Sequence, residues 1–188
     1  KLAAIDALLS EHPIHLIDGC IIGGPVWPDE RPASSTTLHL SGSGSGAIAA
    51  LLAGSPLHAN HLSDQPGEAS ALKMVFAAFS KGSAALTAEI LNVSEQYGVR
   101  EALSTQLGQQ TTAQWQHSLA STASKAWRFK GEMQEISETF DAVGAEPGFH
   151  QAAAAVYQKL SDYKDWETKP DLSSLLASLA NGNAQKPT

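Results

Sequence analysis

The residue with the most chemical promise is Lys73, which closes the segment GEASALK at residues 67–73. It lies one turn into a long periodic apolar run, off the main stripe, on a face continued by Ala77, Ala84 and Ala88. Small side chains on that face leave room for another element or a ligand. A lysine stripped of water holds its proton less firmly, and a neutral amine near pH 7 takes a proton from a hydroxyl or returns one to a carbonyl. The same spacing also suits a solvated surface lysine. Lys81, just before Gly82, reads better as a packing or dimer contact.

A second candidate is DGCIIGGP at residues 18–25. Adjacent glycines at the carboxyl end of a buried strand let ligand atoms approach the backbone, and their amides can bind a carboxylate or phosphate. A tight strand exit accounts for the glycines equally well. The third candidate is the turn GSGSGA at residues 42–47, which has the spacing of a dinucleotide fingerprint and is followed by an acid, Asp64. The strand before it is poorly apolar, and no second mononucleotide-binding half is expected after it, so a flexible turn is the simpler account. His12 with His15 and His58 with His61 form no metal-binding pattern, and Cys20 stands alone, so no metal site is expected. No G-x-S-x-G elbow is present.

The elements that must position these groups follow from periodicity. A short helix over residues 2–10 precedes a buried strand over 15–22 and a proline-rich loop over 25–34. A strand over 36–40, a small helix over 47–53 and an extended piece over 57–62 come next. Leu72, Val75, Phe76, Phe79, Leu86, Ile90, Val93 and Tyr97 then recur at helical intervals up to Gly98, which predicts one long buried helix with Lys73 at the mouth of a cleft between two regions. Further helices are expected over 112–127, along Met133, Ile136, Phe140 and Val143, over 149–160, and from the N-cap Asp171 through Leu172, Leu175, Leu176 and Leu179. The layout is an α/β piece, then an all-helical domain.

The formal net charge of −7 is spread without blocks, and no basic run carries interleaved aromatics, which argues against nucleic acid or an anionic membrane as partner. No run reads as a bilayer span, and a single cysteine allows no internal disulfide, so a cytoplasmic protein is expected. The four tryptophans, Trp27, Trp115, Trp127 and Trp166, suit a core or an interface.

Taken in order, DGCIIGGP, EASALKMVFAAFSKGSAAL and AWRFKGEMQEI resemble the β-hydroxyacid dehydrogenase family, which includes the 6-phosphogluconate dehydrogenases. They are most similar to the branch whose C-terminal domain has no assigned function. The resemblance implies a mainly α fold: the last strands of a Rossmann-type α/β domain at 1–66, an all-helical 6-phosphogluconate dehydrogenase-like domain at 67–182, and a loose tail at 183–188. It implies Lys73 as catalytic acid/base, and Asp18, Ile22, Gly23, Gly24, Phe76 and Ala77 at the substrate. It also implies NADP or NAD as cofactor, a small-molecule substrate, and a homodimer through the helical domain that buries Phe76 and Phe79.

The departures from the family pattern bear on the substrate. Ile22 stands in place of a serine, Phe76 and Ala77 in place of paired asparagines, and Gly131-Glu132 in place of a Lys-Asp pair. These exchanges remove polar contacts and favour a bulkier or less polar carbonyl or imine compound over a small hydroxy acid. The family's nucleotide fingerprint is expected before residue 15 and does not occur there, so the chain reads as part of a longer NAD(P)-dependent oxidoreductase. A non-redox binding or dimerisation module, and a cyclase or isomerase reusing the same cleft, are the other two readings.

Overall fold

The computed structural model describes residues 2–12, 14–24, 36–166 and 168–182. The whole proline-rich loop over 25–34, with Trp27, and the expected tail at 183–188 lie outside the described residues. The chain divides into two compact units, Lys1–Phe76 and Ala77–Thr188, and the division falls within the long helix.

The first unit holds α1 (Leu2–Leu9), β1 (Asp18–Ile22), β2 (Thr37–Ser41), α2 (Ser45–Leu51), β3 (His58–Ser63) and the opening turns of α3 (Glu68–Gln96). Its sheet has the order β1-β2-β3, with β1 antiparallel and β3 parallel to β2. Residues 15–17, expected to extend the first strand, carry no strand pairing. Side-chain alternation along β1 buries Asp18 and Cys20 and turns Gly19 and Ile21 outward. Helix α2 crosses over between the two parallel strands, as such a connection requires.

Among the described residues, the elements of the second unit are all helical: the remainder of α3, then α4 (Arg100–Leu107), α5 (Gln109–Ala123), α6 (Ala126–Asp141), α7 (Gly148–Lys159), a 3-10 turn at Ser161–Tyr163, and α8 (Leu172–Asn181). Its core gathers Leu91 of α3, Leu119 of α5, Met133 and Ile136 of α6, Tyr157 of α7, and Leu175 and Leu179 of α8, each almost completely buried. Tyr163 is also buried, and its hydroxyl bonds the Ser174 carbonyl at 3.0 Å and the Ser178 hydroxyl at 2.8 Å, which ties the 3-10 turn to α8. Asp171 caps α8 as expected, accepting from the Ser174 amide at 2.9 Å. Hydrogen bonds from Ser173 and Ser174 hold the Asp171 carboxyl down at about 2. The fold class is the expected one, mainly helical with a few strands at the front.

Three expectations need correction. The helix expected over 112–127 is two helices, because the chain turns at Ser124 and Lys125 between α5 and α6. Helix α4 was not foreseen, since none of its residues is buried and it has no apolar stripe to read. The third concerns which face of α3 is covered. Val75, Phe79, Leu86, Val93 and Tyr97 are exposed, Phe79 at 74% and Tyr97 at 80%, whereas Ala77, Ala78, Ala85, Ala88 and Leu91 are buried. Small side chains let neighbouring helices approach closely, so the alanine face is the one that packs.

On length and composition α3 is long and apolar enough to cross a bilayer, contrary to the reading of the sequence. Its polar ties are those of a core helix in a globular unit. Lys81 pairs with Glu132 of α6, Tyr157 of α7 donates to the Lys81 carbonyl at 2.7 Å, and Lys159 of α7 meets Glu89 at 3.6 Å.

Candidate active site

Helix α3 begins without a local cap. Its preceding residue, Gly67, has φ +102, a left-handed conformation that favours glycine, and brings no side chain to the free amides of the first turn. Two strand residues do that work instead. The buried Ser41 hydroxyl accepts from the Ala69 amide at 3.0 Å. The Asp18 carboxylate accepts from the Ser70 amide at 2.7 Å through one oxygen and from the Ser70 hydroxyl at 2.7 Å through the other. Asp18 and Ser41 are direct partners across the β1–β2 pairing, so one cross-strand pair caps one helix. A carboxylate at a helix N-terminus also meets the positive end of the helix dipole, worth up to about 2 kcal/mol where it is partly buried.

This docking fixes where Lys73 begins. One turn beyond Ser70 it lies beside Cys20, whose thiol is buried on the face of β1 that carries Asp18. Burial pushes the Cys20 thiol up, Asp18 adds to the rise, and the Lys73 charge and backbone amide pull the other way. Lys73 itself is exposed, so the partial desolvation expected of it is absent in this chain. Its ammonium is therefore presented to solvent from a rigidly anchored turn.

Of the other expected site residues, Asp18 is buried and engaged in the cap. Ile22 is half-buried, and strand alternation sets it on the same face as Asp18 and Cys20. Gly23 and Gly24 are exposed at the strand exit; Gly23 has φ +126, and the Gly24 carbonyl accepts a hydrogen bond from the Thr36 hydroxyl. On α3, Phe76 is 49% exposed, and Ala77 is buried and belongs to the second unit. Reading the sequence missed Ser41, Ser70 and Cys20 as parts of this arrangement. The available signal was a helix start with glycine at its cap position, which must find its acceptors elsewhere in the fold.

The glycine turn does not fit a dinucleotide. Gly42, φ +113, is needed because a Cβ there would strike the Leu16 carbonyl oxygen. The Ser45 amide is already bonded to the Gly42 carbonyl at 3.0 Å. The buried Ser45 hydroxyl bonds His61 at 2.7 Å. The residues that would cradle a pyrophosphate thus serve the packing of the turn. Among the described residues no group of three or more His, Cys, Asp or Glu side chains could hold a metal ion.

Comparison with known proteins agrees with this architecture. Residues 94–160 match the family model of DUF1932, a domain of unknown function. The fold matches a conserved hypothetical protein from Sinorhizobium meliloti 1021 with a TM-score of 0.68 and 24% identity, over 88% of this chain and 57% of that one. It also matches conserved protein MTH1747, of unknown function and described as structurally similar to 3-hydroxyacid dehydrogenases. That match has a TM-score of 0.60 and 25% identity, over 78% of this chain and 56% of the other. No curated protein matches the sequence. Residues 94–160 thus resemble a DUF1932 domain, and the fold is similar to that of a protein described as structurally similar to 3-hydroxyacid dehydrogenases. The chain spans a little over half the length of both matched structures.

Proposed function

We propose that this chain supplies the lysine-bearing helix of a cytoplasmic NAD(P)-dependent oxidoreductase acting on a carbon that bears a hydroxyl, carbonyl or imine group. The observation that carries the reading is the anchored start of α3, where Asp18 and Ser41 hold the turn from which Lys73 projects. In this reading the Lys73 ammonium gives a proton to the substrate carbonyl oxygen, and in the reverse direction the neutral amine so formed takes it back from the hydroxyl. Asp18 acts through the helix as a positioning residue. The exposed Gly23-Gly24 exit receives the substrate's polar end through backbone groups. Ile22 and Phe76 give the first unit apolar side chains on β1 and α3, which favours a substrate less polar than a small hydroxy acid. A bound nicotinamide would supply the hydride chemistry.

The decisive test uses the full-length protein with NADPH or NADH and a panel of small hydroxy acids, bulkier ketones and imines. Lys73→Met is expected to lower kcat by roughly 10²- to 10⁴-fold. Lys73→Arg should not restore it, since arginine keeps the charge but does not give up its proton. Undiminished turnover by Lys73→Met would end the assignment.

A second reading, assembly without redox chemistry, is favoured by the exposed face of α3. Val75, Phe79, Leu86, Val93 and Tyr97 form an apolar stripe that a second copy of the helix would cover. The two readings are compatible, because an oxidoreductase of this kind would use the same face to dimerise.

A further inference from the structure

We propose that His150 is an acid-sensitive latch, holding the first turn of α7 against α3 and α6 while neutral and releasing it on taking up a proton. His150 is the third residue of α7 and only 7% exposed. Its ring lies against the Phe140 ring of α6, with centroids 4.4 Å apart. It also faces the backbone of α3 at Gly82, where a Cβ would meet Nε2 at 3.8 Å. Among the described residues its buried Nδ1 has no hydrogen-bond partner. A neutral imidazole fits this place, with Nδ1 as an idle acceptor. The added proton on Nδ1 would make a buried N–H with no acceptor, and the cation would sit at the positive end of α7.

Among the described residues, the acidic groups on the neighbouring elements are exposed or already paired. On α3 the ammonium of Lys81, next to Gly82, is turned to Glu132 of α6 and has the same sign as a protonated His150. In the connection before α7, Glu146 is exposed and its carboxylate is taken by the Gly148 amide at 2.9 Å. Glu138 and Asp141 of α6 are exposed. Burial is the one resolved influence on His150, and it pushes the imidazole below its ordinary value. The sign follows. Above about pH 6.5 the folded and open states are both neutral at this residue. Below it the open state takes the proton first, so the latch weakens as pH falls towards the lowered folded value.

The test combines urea unfolding of the intact chain between pH 7.5 and 5.0 with an NMR titration of its imidazoles. The expected results are a His150 resonance that titrates below the ordinary histidine value of about 6.5, and a loss of stability below that pH of up to about tenfold in the unfolding constant per pH unit. His150→Phe should reduce that dependence. A His150 that titrates at or above about 6.5 overturns the proposal, and so does a pH dependence that is undiminished in His150→Phe. Should His150→Phe fail to fold, the titration of the unsubstituted protein decides alone.

Discussion

At residue scale Asp18, the first residue of β1, accepts from the Ser70 amide through one oxygen and from the Ser70 hydroxyl through the other. Its effect on any chemistry at Lys73 passes through the helix it caps. Asp18→Asn should therefore cost about 1–3 kcal/mol of stability, the range for a hydrogen bond to a charged group left incomplete. Ser41→Ala should cost about 1 kcal/mol, as for a lost helix cap. Urea unfolding measures both, and the double substitution should cost less than the sum because the two residues cap the same turn. A fully additive double substitution would show that they do not act as one cap.

The longest element is α3, most of which belongs to the second unit. Its 29 residues are about 44 Å long, and its middle is held by polar ties from α6 and α7. Lys81 is three-quarters buried; its ammonium lies 4.8 Å from the centre of the Phe129 ring and pairs with Glu132. Arg128 lies over the same ring at 5.3 Å and reaches Glu132 at 3.9 Å. The sequence reading of Lys81 as a packing residue agrees with this place. Gly82 is different, because a Cβ there would make only ordinary contacts with His150 and the residue is within a regular helix. Gly82→Ala is accordingly expected to stabilise the protein by up to about 1 kcal/mol, seen as a higher urea midpoint with an unchanged slope. A lower midpoint would show that the His150 ring needs the space.

At the scale of the whole molecule the apolar stripe of α3 has the larger consequence. Exposed phenylalanine, leucine, valine and tyrosine side chains in register along one helix present more apolar surface than scattered exposed residues do. We expect a dimer in sedimentation at micromolar concentration. Phe79→Asp should give a monomer with little change in the helical content of the chain, since Phe79 is 74% exposed and contributes little to the core of its own unit. An unsubstituted protein that sediments as a monomer would remove this assembly. Because the stripe lies on the helix that begins at the anchored Lys73 turn, loss of the dimer should also be checked for its effect on turnover in the full-length protein.

Much of the element order is legible in the residues alone, because apolar spacing, glycine stops and the Asp171 cap are local signals. The long helix ends near Gly98 and α8 starts after Asp171 for reasons visible within a few residues. The resemblance of the ordered motifs to a dehydrogenase family is legible in the same way. Which face of α3 is covered is not, since periodicity marks an apolar face without saying what will lie on it, and the packed face proved to be the alanines. Neither the sequence spacing of Asp18, Ser41 and Ser70 nor their types announces a shared cap. They meet because β1 and β2 pair in one register and the chain returns through β3 to start a helix beside them. The exposure of Lys73 was likewise decided by tertiary structure, since burial depends on what packs around a turn and not on the turn's own residues.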